Sequence, residues 1–172
     1  MRFIIRILLL GVIAVALIHG CGDEQEGNDA SSARHAPHFA LKSLKGNTLN
    51  LEDLRGKVVL LNFFATWCPP CRQEIPDFVR LYEKFKDKGL EIVGIALDMQ
   101  GAAVLTPFVK HFKISYPVLL GTRKVVMDYG GIEGIPTTFF IDRDGFIAEH
   151  FVGLRPAMVL EKTITELIDK SG

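Results

Sequence analysis

A nearly unbroken apolar run, Val58-Val-Leu-Leu-Asn-Phe-Phe64, leads directly into Ala65-Thr-Trp-Cys-Pro-Pro-Cys71, and this junction constrains the fold more than any other stretch. A run that is apolar on both faces reads as a strand covered by structure on both sides. Downstream, Ile75, Phe78, Val79, Tyr82 and Phe85 recur at helical spacing, and Pro69 suits a first helical turn. The two cysteines are thus expected on a strand-to-helix turn. Thiolates are the reactive form of cysteine, and a helix N-terminus stabilises negative charge through its dipole and unpaired N–H groups. Cys68 is the expected nucleophile.

The helix is expected to kink at Pro76 and stop at Gly89. Leu90 to Leu97 reads as a second buried strand, completing a βαβ unit with parallel strands. Ligand chemistry is expected at the carboxyl ends of such strands. Cys68 falls at one end and Asp98 at the other. Before this unit, His38–Leu41 and Thr48–Leu51 alternate around Lys45-Gly-Asn47, which predicts a short hairpin. After it come a helix over 101–112, a strand over 116–120 and a helical piece over 124–129. Thr137–Ile141 and Phe146–Phe151 flank Asp142-Arg-Asp-Gly145, a hairpin signal. A last helix opens at Pro156 and is expected to bury Val159, Leu160, Ile164, Leu167 and Ile168.

The front of the chain differs in kind. Arg2 and Arg6 precede an uncharged apolar run from Ile7 to Ile18, the form of a secretory signal over residues 1–20. That run is short for a membrane span, which needs about 20 predominantly apolar residues. Leu17-Ile-His-Gly-Cys21 resembles the lipobox of bacterial lipoproteins, with His19 where a small residue is usual; the resemblance implies an acylated Cys21 as the mature N-terminus. An uncleaved anchor and ordinary secretion are the alternatives. Residues 21–36, rich in Gly, Ser, Asn and acids, read as a flexible tether. Residues 37–172 are then one domain, long enough to bury a real core.

Among 172 residues, Lys+Arg 20 balance Asp+Glu 20, so nothing predicts a nucleic-acid partner. Three cysteines, at 21, 68 and 71, are too few for a disulfide-stapled scaffold. The pair is therefore catalytic or metal-binding. His35 and His38, beside the tether, read as solvated residues. Soft thiolates suit Cu(I), so a lipid-anchored copper-delivery module is the alternative function, with His111 and His150 as the available further ligands. Neither has a spacing that puts it near the dithiol, and no cofactor or metal is expected.

A CxxC at the first strand-to-helix turn of a βαβ, insertion, ββα order is a thioredoxin-like signal. On Trp67-Cys-Pro-Pro-Cys71, Gly134-Ile-Pro-Thr137, the extra hairpin and the insertion, the chain resembles the TlpA/ResA-like branch of extracytoplasmic thiol-disulfide oxidoreductases, over roughly Pro37 to Lys170. The resemblance implies an α/β thioredoxin-like fold around a central mixed sheet, with an N-terminal β-hairpin and an inserted α/β segment. It implies that Pro136 is a cis-proline facing the dithiol and that Ile135 presents its backbone to the substrate chain. Trp67 is expected to cover the sulfurs, and Pro69 and Pro70 to support the site.

Cys68 would then attack a substrate disulfide and Cys71 would resolve the mixed disulfide. The partners implied are disulfide-containing proteins, a membrane thiol-disulfide electron donor, and the membrane itself through a lipid or N-terminal anchor. Two departures from better-known relatives matter. Thioredoxins carry a buried Asp where this chain has Asn62, leaving Asp98, Glu74 and Glu133 as candidate proton acceptors for Cys71. Cytochrome-maturation members of the CcmG type commonly have Glu where this chain has Thr137. Peroxiredoxin-type peroxidases are disfavoured, because the Cys-Pro-Pro-Cys stretch does not match their peroxidatic motif.

Overall fold

The computed structural model describes residues 34–170. The signal, Cys21 and the tether as far as residue 33 lie outside the described residues. A five-stranded sheet runs β5-β4-β3-β6-β7, from β3 (Val58–Phe64), β4 (Leu90–Ala96), β5 (Val118–Leu120), β6 (Thr137–Ile141) and β7 (Ile147–Val152). The β3–β4 and β4–β5 pairs are parallel, while β6 runs antiparallel to both β3 and β7. This is the expected mixed sheet. β1 (Ala40–Lys42) and β2 (Thr48–Asn50) form the separate entry hairpin.

Alternation along β3 divides the core. Val58, Leu60 and Phe64 face α1 (Pro69–Phe85), α2 (Ala102–Phe112) and α4 (Ala157–Asp169), meeting Ile75, Phe78, Leu105, Phe108, Leu160 and Ile164. Val59, Leu61 and Phe63 face the other way, toward Phe39, Leu41, Leu51 and Leu54 of the hairpin region and Val125 of α3 (Arg123–Asp128). Both faces are thus covered, which is why β3 and β4 are buried at every position. Truncating a fully buried ring such as Phe78 removes about 3–5 kcal/mol of such packing.

Helix α1 passes through Pro76 and ends in a 3₁₀ turn, Lys86–Lys88, closed by Gly89 in the left-handed region at φ 94°. A proline inside a helix removes one main-chain donor, but the sheet-facing stripe on either side of it holds the helix together. The last helix departs from expectation at one residue. Val159 is 38% exposed, whereas Thr163 is buried beside Leu160, Ile164 and Leu167. Val159 lies about 100° around the helix from Leu160, off the stripe that meets the sheet.

Residues 34–36, polar in composition and expected to belong to the tether, are joined to the β6–β7 hairpin. Arg34 C=O accepts from Ile147 N–H at 2.9 Å and Ala36 N–H donates to Gly145 C=O at 2.9 Å. His35 stacks on Phe146 at 3.9 Å between ring centroids, and His38 pairs with Glu52. Main-chain pairing of this kind needs no apolar side chains, so composition does not reveal it.

Candidate active site

The register of the sheet decides what meets the dithiol. Because β6 is antiparallel to β3, with Phe63 opposite Thr137, the start of β6 lies at the end of β3 from which Cys68 follows. Thr137 is in turn opposite Val152, so the end of β7 arrives at the same place. Three distant stretches of chain converge there.

Cys68 and Cys71 form a disulfide, with S–S 2.09 Å and Cα–Cα 5.3 Å. Cys68 is the N-cap of α1 in an extended conformation, and both cysteines are buried. The Ile135–Pro136 peptide bond is cis, and the Ile135 carbonyl oxygen lies 3.7 Å from Cys68 Sγ, where a reduced thiol can donate to it. Pro136 is buried and Ile135 half-buried. Thr137 Oγ1 donates to Gly134 C=O at 2.6 Å, tying the turn to itself.

Pro69 and Pro70 occupy the first two helical positions, so the first free N–H of the helix is that of Cys71. It donates to Cys68 Sγ at 3.2 Å. A helix without prolines there would offer the sulfur more N–H donors. With fewer donors the Cys68 thiolate is less stabilised, and a less stabilised thiolate gives a more reducing couple. Equilibration with glutathione or dithiothreitol is expected to give a potential well below the roughly −120 mV of strongly oxidising dithiols. A value near that figure would contradict the argument.

Trp67, next to Cys68, is 67% exposed while the two sulfurs beside it are buried. Pro69 is exposed and Pro70 half-buried beside it. Where thioredoxins hold their aspartate, Asn62 is buried and donates from Nδ2 to Thr138 Oγ1 at 2.9 Å. That amide has no charge to titrate and takes no proton.

The three acidic candidates occupy different environments. Asp98, buried at the end of β4, accepts from Thr66 N–H at 3.0 Å and from Thr66 Oγ1 at 2.5 Å, which pins the turn before Trp67. Glu133 is exposed. Glu74 lies three residues beyond Cys71, on the same face of α1, and is only 1% exposed. Burial pushes its carboxyl up to about 7 from 4.5, a shift moderated by the hydrogen bond that Oε1 accepts from Arg155 N–H at 3.1 Å. That places the proton affinity of Glu74 near neutrality. Arg155, Thr66 and Thr138 escaped the reading of the chain, because each is connected only by a fold contact; Glu74 and Arg155 stand 81 residues apart.

Among the described residues no group of three or more His, Cys, Asp or Glu is placed to hold a metal ion. His111 lies edge-on to Phe112 and His150 stacks on Phe139.

The profile of the AhpC/TSA family matches residues 33–150. The chain belongs to that family, within the thioredoxin superfamily. Among similar proteins, the thiol-disulfide oxidoreductase ResA of Bacillus thuringiensis (strain Al Hakam) is 35% identical over 93% of this chain and 91% of the relative. ResA of Bacillus subtilis (strain 168) is 36% identical over 80% of this chain and 73% of the relative. A thiol:disulfide interchange protein of the thioredoxin family from Chlorobium tepidum shares the architecture, with a TM-score of 0.73 at 34% identity over 79% of this chain and 97% of that one. This thioredoxin-superfamily chain is a thiol-disulfide oxidoreductase, and its Cys68–Cys71 pair is the group that such exchange requires.

Proposed function

We propose that the protein is a membrane-tethered, extracytoplasmic oxidoreductase that reduces or exchanges disulfides in partner proteins; Thr137, where cytochrome-maturation relatives of the CcmG type commonly carry Glu, argues against confining its substrates to cytochrome c maturation. The observation that carries the redox part is the buried Cys68–Cys71 disulfide at the head of α1, with the Ile135 carbonyl at one sulfur and Glu74 three residues beyond the other. The tethered, extracytoplasmic part is supported by Arg2, Arg6, the Ile7–Ile18 run and Cys21.

The reaction proceeds from the reduced pair. Cys68 thiolate attacks one sulfur of a substrate disulfide, and the other substrate sulfur leaves as a thiolate and takes a proton. Cys71 gives its proton to the Glu74 carboxylate and attacks Cys68 Sγ, releasing the second substrate thiolate and closing the internal disulfide. Glu74 is the acceptor because a carboxyl with a pKa about 7 both takes and returns a proton near neutral pH. The side chains of Trp67, Val152 (55% exposed) and Leu154 (41% exposed) offer apolar contact for the substrate segment at this end of the sheet.

An oxidising compartment favours disulfides, so the protein needs a membrane thiol carrier to return it to the dithiol state. Replacing Cys71 by alanine is expected to leave substrates linked to Cys68 as mixed disulfides, which can be isolated and identified. Capture that persists in a Cys68→Ser, Cys71→Ala double variant would rule out this chemistry. Mass analysis of the mature N-terminus tests the anchor, and an unmodified Cys21 removes it.

A further inference from the structure

The loop joining β7 to α4 holds two parts of the site at once. Gly153 N–H donates to Pro136 C=O at 2.7 Å, and Arg155 N–H donates to Glu74 Oε1 at 3.1 Å. The short stretch 153–155 is therefore a strap from the cis-proline turn to the dithiol helix. The Arg155 guanidinium lies over the Phe151 ring, 5.0 Å from its centroid, and Phe151 meets Phe140 edge-on at 5.9 Å. That stacking keeps the cation against the protein rather than loose in solvent.

Two atoms here are buried without a hydrogen-bond partner, Glu74 Oε2 and Arg155 Nε. One can only accept while the carboxyl is ionised, and the other can only donate. Buried polar atoms are normally satisfied, so a complementary orphan pair on residues already joined through the main chain marks a place where protonation changes the contacts. The other groups facing Glu74 are Asp77, a turn further along α1, and Tyr116, ahead of β5. Asp77 opposes ionisation and pairs with Arg80 at 2.6 Å, and the buried Tyr116 phenol is pushed well above its ordinary range, so it stays neutral. Arg155 is the cation of this set.

We propose that Arg155 is a positioning residue for disulfide exchange: its main-chain N–H holds the Glu74 carboxyl in place, and its guanidinium sets how readily that carboxyl releases its proton. The contribution to the reaction rests on the proton-accepting role given above to Glu74. In the exchange, the Cys71 proton moves to Glu74 as the Cys71 sulfur attacks Cys68 Sγ, and it leaves later to solvent or to the departing substrate thiolate. A cation beside Glu74 keeps the carboxyl ionised, and able to accept, at lower pH.

Arg155→Met keeps the main-chain N–H and the aliphatic stem and removes the charge; Arg155→Gln is the second variant should the first not fold. In the oxidised protein, where the cysteines do not titrate, the carboxyl carbon of Glu74 followed by NMR is expected to titrate about half a unit to one unit higher in either variant. Arg155→Lys should restore most of the wild-type value. The pH midpoint of single-turnover insulin reduction should move by the same amount, and the Arg155 substitution should not move the profile in a Glu74→Gln background. Coincident Glu74 titrations in wild type and both variants would overturn the proposal. A titration that moves while the rate profile stays fixed supports the electrostatic link but overturns the proton role of Glu74, so the two failures are told apart.

Discussion

Cys68→Ser lowers insulin reduction by about 10³-fold or more, to the background of the assay. The expectation follows from what the position does rather than from its burial. A serine hydroxyl keeps its proton at neutral pH and forms no stable bond to a substrate sulfur, so no mixed disulfide can form. The substitution is nearly isosteric and the oxidised pair spans only three residues, so the fold should survive and the loss should be one of chemistry. Thermal unfolding that matches the reduced wild-type protein, alongside lost activity, is the expected combination. Activity retained within about tenfold would mean that another thiol carries the reaction, and among the described residues Cys68 and Cys71 are the cysteines. Stoichiometric Cu(I) retained by wild type and lost in the same variant, with insulin reduction absent from both, would instead favour the copper-delivery alternative.

Wild-type stability is expected to fall by about 3 kcal/mol between pH 5 and pH 8 through Glu74 alone, and Glu74→Gln to remove that part of the slope. The sign follows from the proton count. Glu74 has a pKa of about 7 when folded and 4.5 as a free carboxyl. Between those values the folded chain holds a proton that the unfolded chain has released, so raising the pH favours unfolding. Stability that is whole below about pH 4.5 is lost as pH rises through 7, and above that the loss is complete. Burial is the first cause, since an ionised carboxylate 1% exposed has lost its water, and one hydrogen bond from Arg155 returns only part of it. Glutamine retains the carbonyl that accepts from Arg155 and carries no charge. Chemical denaturation of the oxidised proteins at pH 5, 6, 7 and 8 measures the difference, and the histidines, common to both, cancel. Parallel slopes for the two proteins would show that Glu74 is ionised throughout.

This stability loss and the proposed catalytic role have one origin. A carboxyl exposed on α1 would titrate near pH 4 and stay ionised at neutral pH, cheap in stability and poor as a base returning its proton there. Buried, it is costly and useful.

Much of the architecture is legible from residue order. Two-sided apolar runs give β3 and β4, helical spacing gives α1, and Asp142-Arg-Asp-Gly145 gives the turn between β6 and β7. These are local patterns, set by side-chain periodicity and by turn chemistry, so a linear reading reaches them. The pairing of residues 34–36 with the β6–β7 hairpin is not legible in this way, because Arg34 and Ala36 attach through main-chain groups that every residue carries. Val159 likewise fell just off a stripe whose centre depends on how α4 sits on the sheet.

At the site the division is sharper. Residue order alone identifies Cys68-Pro-Pro-Cys71 as a dithiol at a helix start and removes two N–H donors beside it, and the resemblance to thioredoxins adds that Asn62 stands where they carry a buried acid. Residue order offers Asp98, Glu74 and Glu133 as candidate acceptors, with Asp98 favoured by its place at the carboxyl end of a strand. Only the tertiary structure separates them. Folding gives Asp98 the donors of Thr66, leaves Glu133 in water, and strips water from Glu74 while bringing Arg155 from 81 residues away. Intrinsic chemistry is carried by the residue type, but desolvation and charge proximity exist only once distant segments have packed together, and those two effects set how Glu74 holds its proton near neutral pH.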